Sequence, residues 1–71
     1  MSTYNDFLNA VSSLKPTTIF AITYDWCTSQ GLNLTPSMAK SWGRKFATDY
    51  LKYNTKCLGR GTDNHKMYEK T

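Results

Sequence analysis

The sequence predicts a small α+β domain, mostly helical, with three helices and a C-terminal β-hairpin. Three observations carry this. Apolar residues at helical spacing precede Lys15-Pro16 and follow Thr35-Pro36. A β-branched and aromatic stretch, Thr17 to Ile22, stands between them. Beyond Tyr53 the period changes, and two short strand-like runs flank a glycine-rich turn. A chain of 71 residues suits one domain with one modest core, and leaves little room for a catalytic cleft.

The first helix is expected over residues 4–14. Thr3 is its cap and Asp6, three residues on, completes a capping box. Tyr4, Phe7, Leu8, Val11 and Leu14 fall on one face. Pro16 stops the helix, because the residue before a proline avoids the α region. Residues 19–21 favour a strand, and a short helix over 23–30 follows, capped by Thr23 and stopped by Gly31. One continuous helix over 18–30 is the alternative, since Ile19, Ile22 and Trp26 also fit helical spacing. Leu32 and Leu34 are set to plug the core.

Thr35-Pro36 is a strong helix start, a capping hydroxyl followed by proline at the first helical position. The helix is expected over 36–52, with Ala39, Trp42, Phe46, Tyr50 and Tyr53 inward. Gly43 costs about 1 kcal/mol against Ala in such a place, which points to close approach of another helix, with a flexible kink as the alternative. The hairpin is expected over 55–69. Its strands are Lys56-Cys57-Leu58 and Lys66-Met67-Tyr68, joined by the turn residues Gly59-Arg60-Gly61-Thr62-Asp63-Asn64. Aromatic residues are 14% of the chain, enough to build a core on Phe7, Phe20, Trp26, Trp42, Phe46 and Tyr50.

Charge is uneven. Residues 1–35 carry one lysine against two aspartates, a net −1. Residues 36–71 carry eight Lys/Arg against three acids, a net +5. A basic half points to a polyanion partner, although charge alone fits a solvated surface equally well. Cys27 and Cys57 stand in apolar runs without metal-ligand spacing, and buried free thiols in a reducing compartment are expected. The N-terminal residues lack a basic and apolar leader pattern, and no run approaches the ~20 apolar residues of a membrane span. A cytoplasmic protein with no membrane partner is expected.

The third helix carries the most information. At about 100° per residue, Ser37, Lys40, Ser41, Arg44, Lys45, Thr48 and Lys52 share an arc of roughly 140°. That face has four cations, three hydroxyls and no carboxylate. An ordinary solvated helix face mixes signs, because Glu–Lys pairs one turn apart help the helix. A groove-facing helix needs cations for phosphates and short polar groups for base edges. The hairpin adds Lys56, Arg60, His65 and Lys66, with Arg60 between two glycines at its tip. Catalytic chemistry is not evident. The single histidine has no nucleophile beside it, the carboxylates are scattered, and no phosphate-cradling GxxxxGK[ST] motif is present. Neither enzyme activity, cofactor nor metal is expected.

The order helix, short strand, short helix, turn, longer helix, basic hairpin resembles the winged helix-turn-helix family. The residues that carry the resemblance are Ile19-Phe20-Ala21 leading to Trp26, the helix Met38-Ala39-Lys40-Ser41-Trp42-Gly43-Arg44-Lys45-Phe46, and the glycine-tipped hairpin ending in Tyr68. It covers about residues 16–70 and looks most like small single-domain proteins of bacteria, phages and plasmids. The resemblance implies a double-stranded DNA partner and a transcriptional or mobile-element regulator. The third helix would enter the major groove with Lys40, Ser41, Arg44 and Thr48 near bases. Ser37, Lys45, Lys52, Arg60 and Lys66 would meet phosphates, and the wing would lie on the backbone. A homodimer on DNA is compatible with the small footprint of one recognition helix. The alternative is an adaptor or inhibitor that binds a host protein through the same scaffold, with Tyr4, Tyr24 and Tyr53 as exposed anchors.

Overall fold

Capping hydroxyls begin each helix where the sequence marks them. Thr3 accepts from the Asp6 N–H at 3.3 Å while the Asp6 carboxylate accepts from the Thr3 N–H at 2.9 Å, so the capping box closes. Thr23 and Thr35 accept from the Trp26 and Met38 N–H groups at 3.1 and 3.2 Å. The computed structural model describes residues 1–61 and 65–71. Its elements are α1 (Tyr4–Ser12), β1 (Ile19–Ala21), α2 (Tyr24–Ser29), α3 (Pro36–Asp49), a 3-10 turn (Tyr50–Tyr53), β2 (Thr55–Arg60) and β3 (Lys66–Lys70). Among the described residues the architecture is therefore α+β, three helices with a three-stranded antiparallel sheet.

Three expected boundaries move. Helix α1 ends at Ser12, not at residue 14, because Ser13 caps it and turns its hydroxyl back onto the Asn9 carbonyl at 3.0 Å. Helix α3 ends at Asp49, not at residue 52. The chain tightens into the 3-10 turn, leaves it through a left-handed Asn54 at φ 56°, and the Thr55 hydroxyl donates to the Tyr50 carbonyl at 2.7 Å. Strand β2 extends the expected run at both ends, to Thr55–Arg60, while β3 starts at Lys66 as expected and runs on to Lys70, which pairs with Thr55. The turn proposed for Thr62, Asp63 and Asn64 lies outside the described residues. On either side of it, the Gly61 N–H donates to the His65 carbonyl at 2.8 Å.

Of the two readings for residues 18–30, the chain takes strand then helix. Pairing decides it. β1 joins β3 antiparallel with Phe20 opposite Tyr68, and the sheet order is β1-β3-β2. A turn over 15–18 leads in, closed by the Thr18 N–H on the Lys15 carbonyl at 3.2 Å, with Thr17 in the left-handed region at φ 72°. Helix α2 ends in a Schellman arrangement. The Leu32 N–H donates to the Cys27 carbonyl and the Gly31 N–H to the Thr28 carbonyl, with Gly31 at φ 84°.

The sheet lays Phe20 and Tyr68 against the helices, and both are buried. Phe7 meets Trp42 and Phe46 with ring centres 5.5 Å apart. Phe46 meets Tyr68 edge-on at 5.0 Å. Phe20 stacks on Trp26 at 5.0 Å. Each such pair contributes about 0.5–1.5 kcal/mol beyond its buried area. Leu34 plugs the core as expected and Leu32 packs against it. Trp26 and Tyr50 are half-buried at its margin, not central. Cys27 is buried, but Cys57 is exposed, because β2 is the edge strand and carries little cover. Both thiols are free. No helix among the described residues is long and apolar enough to cross a membrane.

Candidate nucleic-acid interface

All eleven polar residues singled out on the third helix and hairpin are exposed: Ser37, Lys40, Ser41, Arg44, Lys45, Thr48, Lys52, Lys56, Arg60, His65 and Lys66. They do not form one surface. The structure divides them by the elements each one faces.

A groove of about 640 Å³ runs between α3 and the hairpin, with the first turn of α2 as its third wall. Lys40 and Arg44 line it from α3, one turn apart on the same face. Arg60, His65 and Lys66 line it from the hairpin. Arg60 and Lys66 are direct cross-strand partners, so they share the sheet face that carries Tyr68. That register corrects the expectation for Arg60. It ends strand β2 beside the groove and does not stand at the hairpin tip. A bulge between Cys57 and Gly59 makes this possible. Gly59 takes φ 92°, and Leu58 becomes the extra residue.

Among the described residues, no carboxylate lies within ion-pair distance of Lys40, Arg44 or Lys66. Asp25 is the acid that shares the groove lining. It belongs to the first turn of α2, where a negative charge suits the helix dipole.

Three other cations are held elsewhere. The Lys45 ammonium lies 5.2 Å from the centre of the Tyr4 ring, on the α1 side of α3. Lys52 pairs with Asp49 at 3.8 Å, because the 3-10 turn breaks the helical wheel that grouped it with Arg44. Lys56 pairs with Glu69 at 3.4 Å, across the sheet from the groove lining. Ser37, Ser41 and Thr48 stay on the outer face of α3, and the Thr48 hydroxyl donates to the Lys45 carbonyl at 2.8 Å.

The expected protein-binding anchors are reduced to one. Tyr4 packs on Phe7 at 5.7 Å and Tyr53 on Phe46 at 6.1 Å, so both belong to the core margin. Burial and the nearby Asp49 carboxylate push the Tyr4 hydroxyl up to about 12. Tyr24 is 41% exposed and lines the groove.

Gly43 also lines the groove, with Ile22, Ala39 and Ala47. Its expected helix neighbour is replaced by the β1–α2 connection, since Ile22 is what a Cβ at Gly43 would meet, at 4.0 Å. The one-turn spacing of Gly43 and Ala47 was a signal available in the sequence for this unfilled edge of α3. Among the described residues, no group of three or more His, Cys, Asp or Glu side chains comes together to hold a metal ion. Comparison of the chain with protein-family profiles, with curated proteins and with solved structures finds no match.

Proposed function

We propose that this chain is a DNA-binding module of winged-helix type that serves as a transcriptional or mobile-element regulator. The reading places α3 in the major groove and the β2–β3 hairpin on the phosphate backbone. One observation carries it: cations from two separate elements, Lys40 and Arg44 on α3 and Arg60 and Lys66 on the hairpin, converge on one groove. The element order and the β1-β3-β2 sheet order are compatible with that fold type. The acid-free outer face of α3 adds Ser37, Ser41 and Thr48 for base edges or backbone.

The reading is tested by titrating the protein into labelled duplex DNA at about 50 mM salt, then raising the salt. Four neutralised phosphates would make log affinity fall with log salt at a slope of about −3.5. Selection from random duplexes would then yield the preferred site. Failure to bind any duplex at low salt overturns the proposal.

A further inference from the structure

The groove holds a residue whose identity the fold does not explain. Gly43 sits inside α3 in ordinary helical conformation, so no left-handed backbone requires a glycine. Packing does not require one either. A Cβ there would meet only Ile22, at 4.0 Å, which is ordinary contact. Helix propensity favours almost any other residue. What remains is the groove, whose floor Gly43 leaves unfilled beside the half-buried Ala47.

We propose that this floor seats the sugar–phosphate backbone of one DNA strand, with Gly43 setting its depth. A deoxyribose lies against Gly43 and Ala47, and its flanking phosphates meet Lys40 and Arg44 on one rim and Lys66 on the other. The chemistry of the walls fits this occupant. The apolar floor matches the C–H faces of a sugar, and the cationic rims match charges on both sides of it. Lys40 and Arg44 are one helical turn apart, about 6 Å of rise, on the scale of the step between successive phosphates. A bulky free phosphate would use the rims and leave the floor empty. The proposal rests on the DNA reading above and adds that binding depends on an uncharged residue.

The experiment compares Gly43→Ala, Gly43→Leu and the double variant Lys40→Ala/Arg44→Ala with the parent chain. The readouts are thermal unfolding and affinity for a short labelled duplex across a salt series. Gly43→Ala should melt higher than the parent yet bind about threefold weaker, and Gly43→Leu should bind about tenfold weaker. Both should keep the parent salt slope, because neither removes a charge. The double variant should lower the slope by about two.

If Gly43→Ala binds as tightly as the parent while the double variant loses affinity, the floor is not used and the inference falls, although the DNA reading stands. If the double variant binds like the parent, the DNA reading itself fails. If a poly-glutamate peptide binds with this Gly43 dependence and the duplex does not, the groove takes an acidic protein segment and the proposal is overturned. Gly43→Ala keeps the test valid should Gly43→Leu fail to fold.

Discussion

The Lys45 ammonium lies 5.2 Å from the centre of the Tyr4 ring, which ties a cation of α3 to α1. Its helical neighbour Arg44 lines the groove on the hairpin side. Adjacent residues on one helix therefore face different jobs. A cation–ring contact of this kind at the protein surface contributes about 0.5–1 kcal/mol. Lys45→Ala should lower stability by about that amount and change DNA affinity less than Arg44→Ala does. Arg44→Ala should weaken binding to all duplexes alike and lower the salt slope by about one, as the loss of a phosphate contact does. Anisotropy titrations of the two variants check this. The reverse ranking would put the interface on the α1 side.

Two left-handed residues should respond to substitution with opposite signs. Thr17 is β-branched and sits at φ 72°, a conformation that costs about 1–3 kcal/mol for a residue of this kind. Thr17→Gly removes that strain but frees the unfolded chain, for a net gain of about 1 kcal/mol. Gly31 sits at φ 84° with nothing within 4 Å of a Cβ. Gly31→Ala therefore meets only backbone strain, a loss of about 1–2 kcal/mol. Urea unfolding of both variants measures the two signs directly.

The thiols give a chemical and a pH readout. Cys57 is exposed and Cys27 is buried. A thiol reagent should modify one cysteine in the native protein and two after unfolding. Burial pushes the Cys27 thiol up from 9.0 to about 11, and burial with the Asp49 carboxylate pushes Tyr4 up from 10.0 to about 12. Raised folded values mean that the native state holds these protons after the unfolded chain has lost them. Their stabilising effect is complete below pH 9 and is lost as pH rises through 11 to 12. Denaturant midpoints should accordingly decline across that alkaline window. A flat profile there would contradict the burial of both groups.

Tyr68 joins sheet to helices and should be the most sensitive position of the hairpin. It is 2% exposed and meets Phe20, Phe46 and Tyr50 with ring centres 5.8, 5.0 and 5.7 Å away. Tyr68→Ala should cost about 3–5 kcal/mol, enough to leave a small domain largely unfolded. Tyr68→Phe keeps the rings and should cost about 1 kcal/mol or less. Thermal melts distinguish the two.

Helix starts, the Gly31 stop and the inward face of α3 were legible because they depend on neighbours within four residues. Thr3, Thr23 and Thr35 cap the helices whose starts they mark. Trp42 and Phe46 are buried where their spacing puts them. The exposed polar face of α3 was legible for the same reason. Its division was not. Helical spacing groups Lys45 and Lys52 with Arg44, yet Tyr4 holds one and Asp49 the other, through a packing contact and a change of helix type.

By itself the sequence determined the first and third helices, the capped helix starts and the basic character of the C-terminal half, all from local spacing and composition. The tertiary structure alone decided that residues 19–21 are a strand, because their partners are 67–69. It alone exposed Cys57 by making β2 an edge. It alone brought Lys40 and Arg44 to the same groove as Lys66. Each of these depends on residues far apart in the chain meeting across a sheet or a groove, and periodicity carries no information about such distant partners.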